Sequence, residues 1–505
     1  GVVDNLSDEQ MQDMLRSEHG GLNETFADVA AITGDKRYLK LAHKFSHQLV
    51  LQPLLKKEDK LTGMHANTQI PKVIGYKRMA DLEGNQDWSE AARYFWETVV
   101  EHRSISIGGN SVREHFHPAT DFSSMLTSEQ GPETCNTYNM LRLTKMLYQT
   151  SGEVSYMDYY ERALYNHILS TINPIQGGFV YFTPMRSGHY RVYSQPQTSF
   201  WCCVGSGMEN HARYGEMIYG HKDKNLYVNL FIPSTLDWNR TMIEQQTAFP
   251  EEEGTTLVVS PEKGKKAFVM HVRIPEWADK SSVRLSVNGE PQNLDIKDGY
   301  AVVNRTWKKG DKLHVAMPMH LYTLGLPDGS SNYSIMYGPI VLASSLGKQQ
   351  QDGMYADDSR GGHIANGPRW SLQNMPVIVG DKDKVIEKIQ KVEGKPLTFK
   401  LSGVYPDTYE GMILQPFYQL HECRYMVYWP VISEQELAAR LERLAQEEKE
   451  RIALDAITTD KVICGEQQPE SDHFVKMERS NMGDDEGVHW RETAGWFSYQ
   501  MKTNG

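Results

Sequence analysis

The chain has 505 residues and a formal net charge of −12 at pH 7. That length exceeds one ordinary core, so about two to four domains are expected. The acidic balance argues against binding nucleic acid or an anionic membrane, and no apolar run reaches the roughly eighteen residues of a membrane span. Tyr and Trp (26 and 10) outnumber Phe (15), which suits polar clefts where a ring offers one apolar face and one hydrogen-bonding handle. The sequence opens on Gly1-Val2-Val3-Asp4, without Met, and ends in a strand-like Trp496-Phe497-Ser498-Tyr499-Gln500-Met501. It therefore reads as an internal piece of a longer protein, and no targeting segment fixes its compartment.

From residue 6 to about 220 the apolar period is helical. Ser7-Asp8-Glu9 reads as an N-cap with first-turn acids. Trp88, Ala92, Phe95, Trp96, Val99 and Val100 return at three- and four-residue steps, the mark of an amphipathic helix. Gly34, Gly84 and Gly152 each precede an aromatic (Tyr38, Trp88, Tyr156) by four positions. This weak repeat predicts a helix C-cap followed by a new helix, and so a row of helical hairpins forming a solenoid or closed ring.

Near residue 222 the period switches to two. The stretches 225–232, 267–274 and 283–287 alternate, and Asn288-Gly289 is a hairpin turn, so an antiparallel β-sandwich is expected. More strands follow at 333–337, 340–342 and 425–429, with 347–369 as a long polar loop. The stretch 434–454 reads as a solvated, charge-laced connector helix. The expected domains are 1–220 (helical), 221–325 (β-sandwich), 326–432 (second β-sandwich), 433–457 (linker helix) and 458–505 (the start of a further domain).

The chain has five cysteines. Cys202 and Cys203 are adjacent, and Cys135 follows Glu133 by two residues. Neighbouring cysteines seldom bridge each other, because a disulfide needs its two Cα atoms well separated. Three sulfurs and a carboxylate make a plausible tetrahedral set for Zn²⁺; three buried, inert cysteines are the alternative. Other polar residues gather near predicted helix ends: His19 to Glu24, His65 to Gln69, Glu114-His115-Phe116-His117, Glu161-Arg162, Tyr165-Asn166 and Tyr181. Such a collection suits a hydroxyl-rich ligand. Gly108-Gly109-Asn110-Ser111 lacks the Lys-Ser/Thr of a phosphate loop and is set aside.

The run Gly108-Gly109-Asn110-Ser111…Glu114, then Glu133-Thr134-Cys135, then Cys202-Cys203, resembles the β-L-arabinofuranosidases of glycoside hydrolase families 127 and 146. Glu18-His19-Gly20-Gly21-Leu22-Asn23-Glu24 and His65-Ala66-Asn67-Thr68-Gln69-Ile70-Pro71 resemble the family 146 branch most closely. The likeness spans residues 1 to about 430. It implies an α+β multidomain fold, an (α/α)6 barrel followed by β-sandwich domains. It also implies a retaining hydrolase of plant-derived, arabinose-containing oligosaccharides or polysaccharides in the bacterial periplasm or secreted. Glu133, Cys135, Cys202 and Cys203 are the implied Zn²⁺ ligands, Cys202 the nucleophile and Glu114 the acid/base. His65, Glu161 and Tyr181 are the implied substrate contacts. For its role Glu114 should hold its proton more tightly than an ordinary carboxyl.

Two rivals stay open: another sugar-active enzyme on a helical ring (an epimerase or lyase), or a glycan binder with a structural zinc. Oligomeric state is not legible. About eight helices are predicted before residue 220, short of the six hairpins of a closed ring. The barrel is therefore expected to be N-terminally incomplete, and the piece poorly stable and weakly active on its own.

Overall fold

The computed structural model describes residues 2–17, 19–485 and 488–503. Glu18 lies outside them, as do Gly1, Glu486, Gly487, Asn504 and Gly505.

The helical region is built from hairpins, as the repeat predicts. Leu22–Thr33 turns into Lys36–Lys44, Ala66–Glu83 into Gln86–His102, and Thr134–Ser151 into Val154–Ala163. Each first helix ends on a glycine in the left-handed region, at Gly34 (φ 71°), Gly84 (φ 67°) and Gly152 (φ 75°). The next residue is already the N-cap of the second helix, so each reversal is tight. Trp88 then locks its own hairpin, packing edge-on to Tyr76 (5.8 Å between centroids), whereas Tyr156 packs edge-on to Trp96 of the preceding hairpin (4.6 Å). Ile70, Val73, Phe95, Trp96, Val99 and Met140 share one core. The first helix, Asp8–Met14, carries a capping box between Ser7 and Gln10.

Two sheets follow. Tyr219–Lys222, Asn225–Val228, Lys265–Arg273, Tyr300–Lys308 and Ile296–Lys297 form one in that order. The other has six strands, including Arg284–Val287 and Glu290–Gln292 joined at Asn288-Gly289. Their inner faces meet in a core around Phe268, Leu257 and Trp307. The expected antiparallel pattern fails at one pair: Asn225–Val228 runs parallel to Lys265–Arg273. The expected strand 225–232 stops at Val228, where Asn229 turns its Oδ1 to accept from the hydroxyls of Tyr148 and Tyr300.

Leu321–Gly325 already pairs with Asn332–Tyr337, so the next β region begins before the expected 326. Its strands join along one ten-stranded sheet. The polar stretch 347–369 carries no helix and no strand beyond Gly347; it runs back to the helical region, where Tyr193 N–H donates to Met354 O and Ala356 N–H to Tyr193 O. The helix Glu434–Ile457 starts at a Ser433/Glu436 capping box. It is not solvated throughout: Glu448 is buried and pairs with buried Arg186 (3.0 Å). Lys476–Asp485 and Val488–Ser498 close the chain as an antiparallel hairpin.

Candidate active site

Two helix starts converge on one spot. Glu133 is the N-cap of Thr134–Ser151 and Cys135 sits in its first turn. Cys202 and Cys203 are the first two residues of Cys202–Ala212, capped by Trp201. A helix N-terminus presents free N–H groups and the positive end of the dipole, which favour thiolate and carboxylate. The four side chains offer one ligand atom each, all within 4.8 Å of one another. Cys135 Sγ lies 3.1 Å from Cys203 Sγ, and Glu133 Oε1 lies 3.6 and 3.8 Å from the sulfurs of Cys203 and Cys202.

The electrostatics of this cluster are uneven. Burial and the charges of Cys202 and Glu114 push the Glu133 carboxyl well above its usual range. Burial and hydrogen bonds with its two partners push Cys203 up as well, and the hydrogen bond to Cys202 raises Cys135. Cys202 goes the other way: hydrogen bonds from Cys135 and Cys203 bring it down to about 3. The negative charge therefore collects on Cys202, the one exposed cysteine of the cluster. Glu133 Oε2 is buried with no hydrogen-bond partner. A tight set of three sulfurs and an orphaned carboxylate oxygen fits a cation, which would satisfy that oxygen and take the place of the protons.

Beside the sulfurs stands a carboxylate on strained backbone. Ser111, Arg113 and Glu114 have φ of 75°, 48° and 68°, a left-handed run without glycine. It is held by reciprocal backbone bonds between Val112 and His115 and by Ala66 N–H donating to Glu114 O (2.7 Å). The glycines just before it serve close packing: a Cβ on Gly109 would lie 2.6 Å from Pro132. Tyr181 donates its hydroxyl proton to Glu114 Oε1. His65 caps Ala66–Glu83, and its Nδ1 accepts from Thr68 N–H (3.3 Å). That leaves the ring proton on Nε2, which faces Glu114 Oε2 at 3.6 Å. Tyr181 is placed by the same helix start that places Cys135, since Thr134 N–H donates to Tyr181 O (3.0 Å).

The structure thus brings together Glu133, Cys135, Cys202, Cys203, Glu114, His65 and Tyr181. It corrects two expectations. Burial alone would raise the Glu114 carboxyl, but contacts from His65 and Tyr181 outweigh it and the net direction is down. Glu161 is set apart: Arg273 donates to one of its oxygens and Trp277 Nε1 to the other (2.9 Å), tying the helical region to the first β region. Other polar candidates are also clamps. Asn166 donates to Pro339 O and accepts from Val341 N–H, both at 2.7 Å. Asn23 donates to Lys72 O (2.9 Å), and Glu24 pairs with Arg142 (2.6 Å).

Sequence reasoning misses His363. It comes from the 347–369 loop, is buried, and packs on Tyr181 (4.4 Å) and Trp201 (5.6 Å). A histidine after two glycines in an aperiodic loop gives no signal of where it lands.

The model of the β-L-arabinofuranosidase GH127 catalytic domain matches residues 1–216, and that of the GH127 middle domain matches 225–319, together more than half of the chain. Residues 322–431 match a domain of unknown function and 453–505 a family of unknown function. Among solved structures, a GH127 β-L-arabinofuranosidase from Geobacillus stearothermophilus T6 superposes with a TM-score of 0.61 at 20% identity, over 82% of this chain and 72% of that one. A second GH127 β-arabinofuranosidase gives 0.58 at 20% identity, over 82% and 69%. A chain described as a glycoside hydrolase gives 0.61 at 20% identity, over 85% and 77%. No curated protein sequence matches significantly. A mixed helix-and-sheet chain with this cluster at its helix starts, matched by both domain models, belongs to the GH127 β-L-arabinofuranosidase family and is a glycoside hydrolase.

Proposed function

We propose that the chain is a retaining β-L-arabinofuranosidase using Cys202 as nucleophile and Glu114 as acid/base on arabinose-containing glycans. The carrying observation is the meeting of the low-lying Cys202 thiol and the Glu114–Tyr181 pair at one cluster of metal-ligand geometry. In this reading Glu133, Cys135, Cys202 and Cys203 hold Zn²⁺, and the helical region is of the (α/α)6 type. His65 and Tyr181 hold Glu114 and the sugar. Glu161 drops out of the sugar contacts, because both its oxygens are already engaged. Plant-derived glycans as substrate, and a periplasmic or secreted setting, belong to the same reading.

Bound zinc would keep the sulfurs deprotonated and fix their direction. Cys202 Sγ attacks the anomeric carbon; the C–S bond forms as the glycosidic C–O bond breaks, and Glu114 gives its proton to the leaving oxygen. Glu114 enters this step in its protonated form, positioned by His65 Nε2–H and the Tyr181 hydroxyl, and the proton it takes from water in the second step restores that form. In the second step Glu114 takes a proton from water. The water oxygen bonds to the anomeric carbon, and the electron pair of the C–S bond returns to Cys202. Two inversions retain the configuration.

The test is hydrolysis of an aryl β-L-arabinofuranoside followed by NMR of the first-formed sugar. Retained β-arabinofuranose is expected, with a loss of about 10³-fold or more in Cys202→Ser. Inverted product, or activity surviving in Cys202→Ser, contradicts the proposal.

A further inference from the structure

Behind the acid/base loop lies a carboxylate that the mechanism above does not use. Glu466 comes from the C-terminal segment, more than 300 residues along the chain from Glu114. It is buried (2% exposed). Its Oε1 lies 3.4 Å from His489 Nε2, and its Oε2 lies 3.9 Å from His115 Nδ1 and accepts no hydrogen bond. The His115 ring stacks edge-on between those of His489 (5.8 Å) and His65 (5.2 Å). His65 faces Glu114. Carboxylate, three imidazoles and carboxylate therefore form one line, buried at Glu466, His115 and Glu114 and half-buried at His489 and His65, and Glu466, His489, His115 and His117 border a cavity of about 200 Å³.

We propose that the C-terminal segment completes the active site. Glu466, supported by His489, is a positioning residue that acts through His115 and His65 to keep a proton at Glu114 for the leaving group. The inference rests on Glu114 being the acid/base.

Three observations carry it. An under-bonded buried carboxylate is costly, and the packing of this segment does not need one. Other groups already anchor it: Glu470 pairs with Arg491 and accepts from Gly465 N–H and the Tyr499 hydroxyl, and Arg360 meets Asp472 (3.1 Å). Whenever Glu466 is ionised, its negative charge at the far end of the line makes every proton on it harder to lose, which is what a general acid held down by Tyr181 and His65 lacks. The charged and titratable groups facing Glu466 are Arg113, Glu114, His65, His115 and His489. Burial outweighs the attraction of Arg113, so Glu466 itself is pushed up to about 7.

The test uses leaving-group dependence, which a merely structural role would not move. A 4-nitrophenyl arabinofuranoside departs without a proton, whereas an arabinofuranosyl disaccharide needs one. In the full chain with its metal, Glu466→Gln is expected to lower kcat on the disaccharide about 10-fold or more and on the aryl substrate less than about twofold. Glu466→Asp should restore part of the loss, with metal content unchanged. Equal losses on both substrates, or none on either, overturn the inference. Glu114→Gln run alongside separates the two claims. Without a split there, the acid/base reading fails and this inference with it. A split in Glu114→Gln but not in Glu466→Gln overturns this inference alone.

Discussion

Two buried carboxylates of the helical region, Glu133 and Glu161, invite comparison. Each lies at a helix end beside chemically demanding neighbours, and burial raises both carboxyls. Glu161 has each oxygen met by a donor, Arg273 on one and Trp277 on the other, with Asp158 sharing the guanidinium at 2.5 Å. Glu133 has one oxygen near sulfurs and one orphaned. The first is a completed clamp and the second an incomplete one. Satisfied buried groups hold a fold together, whereas unsatisfied ones mark where a ligand or a reaction belongs.

Mirror substitutions give the largest effects and break the comparison if it is wrong. Glu133→Gln replaces a carboxyl that burial already pushes toward its neutral form, so the metal-free chain should be no less stable. A metal held by the cluster, as proposed above, is expected to be lost, and activity with it. Glu161→Gln leaves the buried Arg273 short of one counter-charge and should cost about 3 kcal/mol in stability. Metal content and kcat of the folded fraction should stay within about twofold. Chemical denaturation, metal analysis and turnover separate the two patterns. The comparison fails if Glu161→Gln sheds metal or if Glu133→Gln keeps it.

Acid stability sharpens the contrast between satisfied and unsatisfied buried groups in another way. His167, bonded between Thr137 and Thr183, and His189 are fully buried, and burial brings each down to about 3. A depressed imidazole contributes stability that is fully present above its unfolded value, near 6.5, and is lost as pH falls toward the folded one. Stability should therefore fall by about 1.4 kcal/mol per pH unit for each of these histidines between roughly pH 6 and 3.5. Denaturation midpoints that stay flat from pH 7 to 4.5 would contradict this.

Sequence legibility follows the same division. The sulfur half of the site was readable because its residues sit at the starts of two helices, where Glu133-x-Cys135 and Cys202-Cys203 are contiguous words. The hairpins were readable for a similar reason: glycine caps and the aromatics after them act within one turn of each other. The proton-carrying half was less so. Glu114 and His65 appear in motifs, but the direction of the Glu114 shift depends on Tyr181 and His65 arriving from other elements. His363 comes to lie against Tyr181, and Glu466 and His489 against His115, across hundreds of residues, through a loop and a terminal segment whose sequence does not say where they land. The partners of Glu161, Arg273 and Trp277, were not legible, because a carboxylate in a polar motif looks the same whether an arginine or a sugar meets it.

The central claim is that Cys202 is the nucleophile. Its most direct test is labelling of the chain with an arabinofuranose-shaped, mechanism-based electrophile, with the modified residue mapped by mass spectrometry. A single adduct on Cys202, blocked by free arabinose and lost in Cys202→Ser, is the predicted result. An adduct on a carboxylate, or no adduct on a chain that binds its metal stoichiometrically, would contradict it and return the cysteines to a structural role.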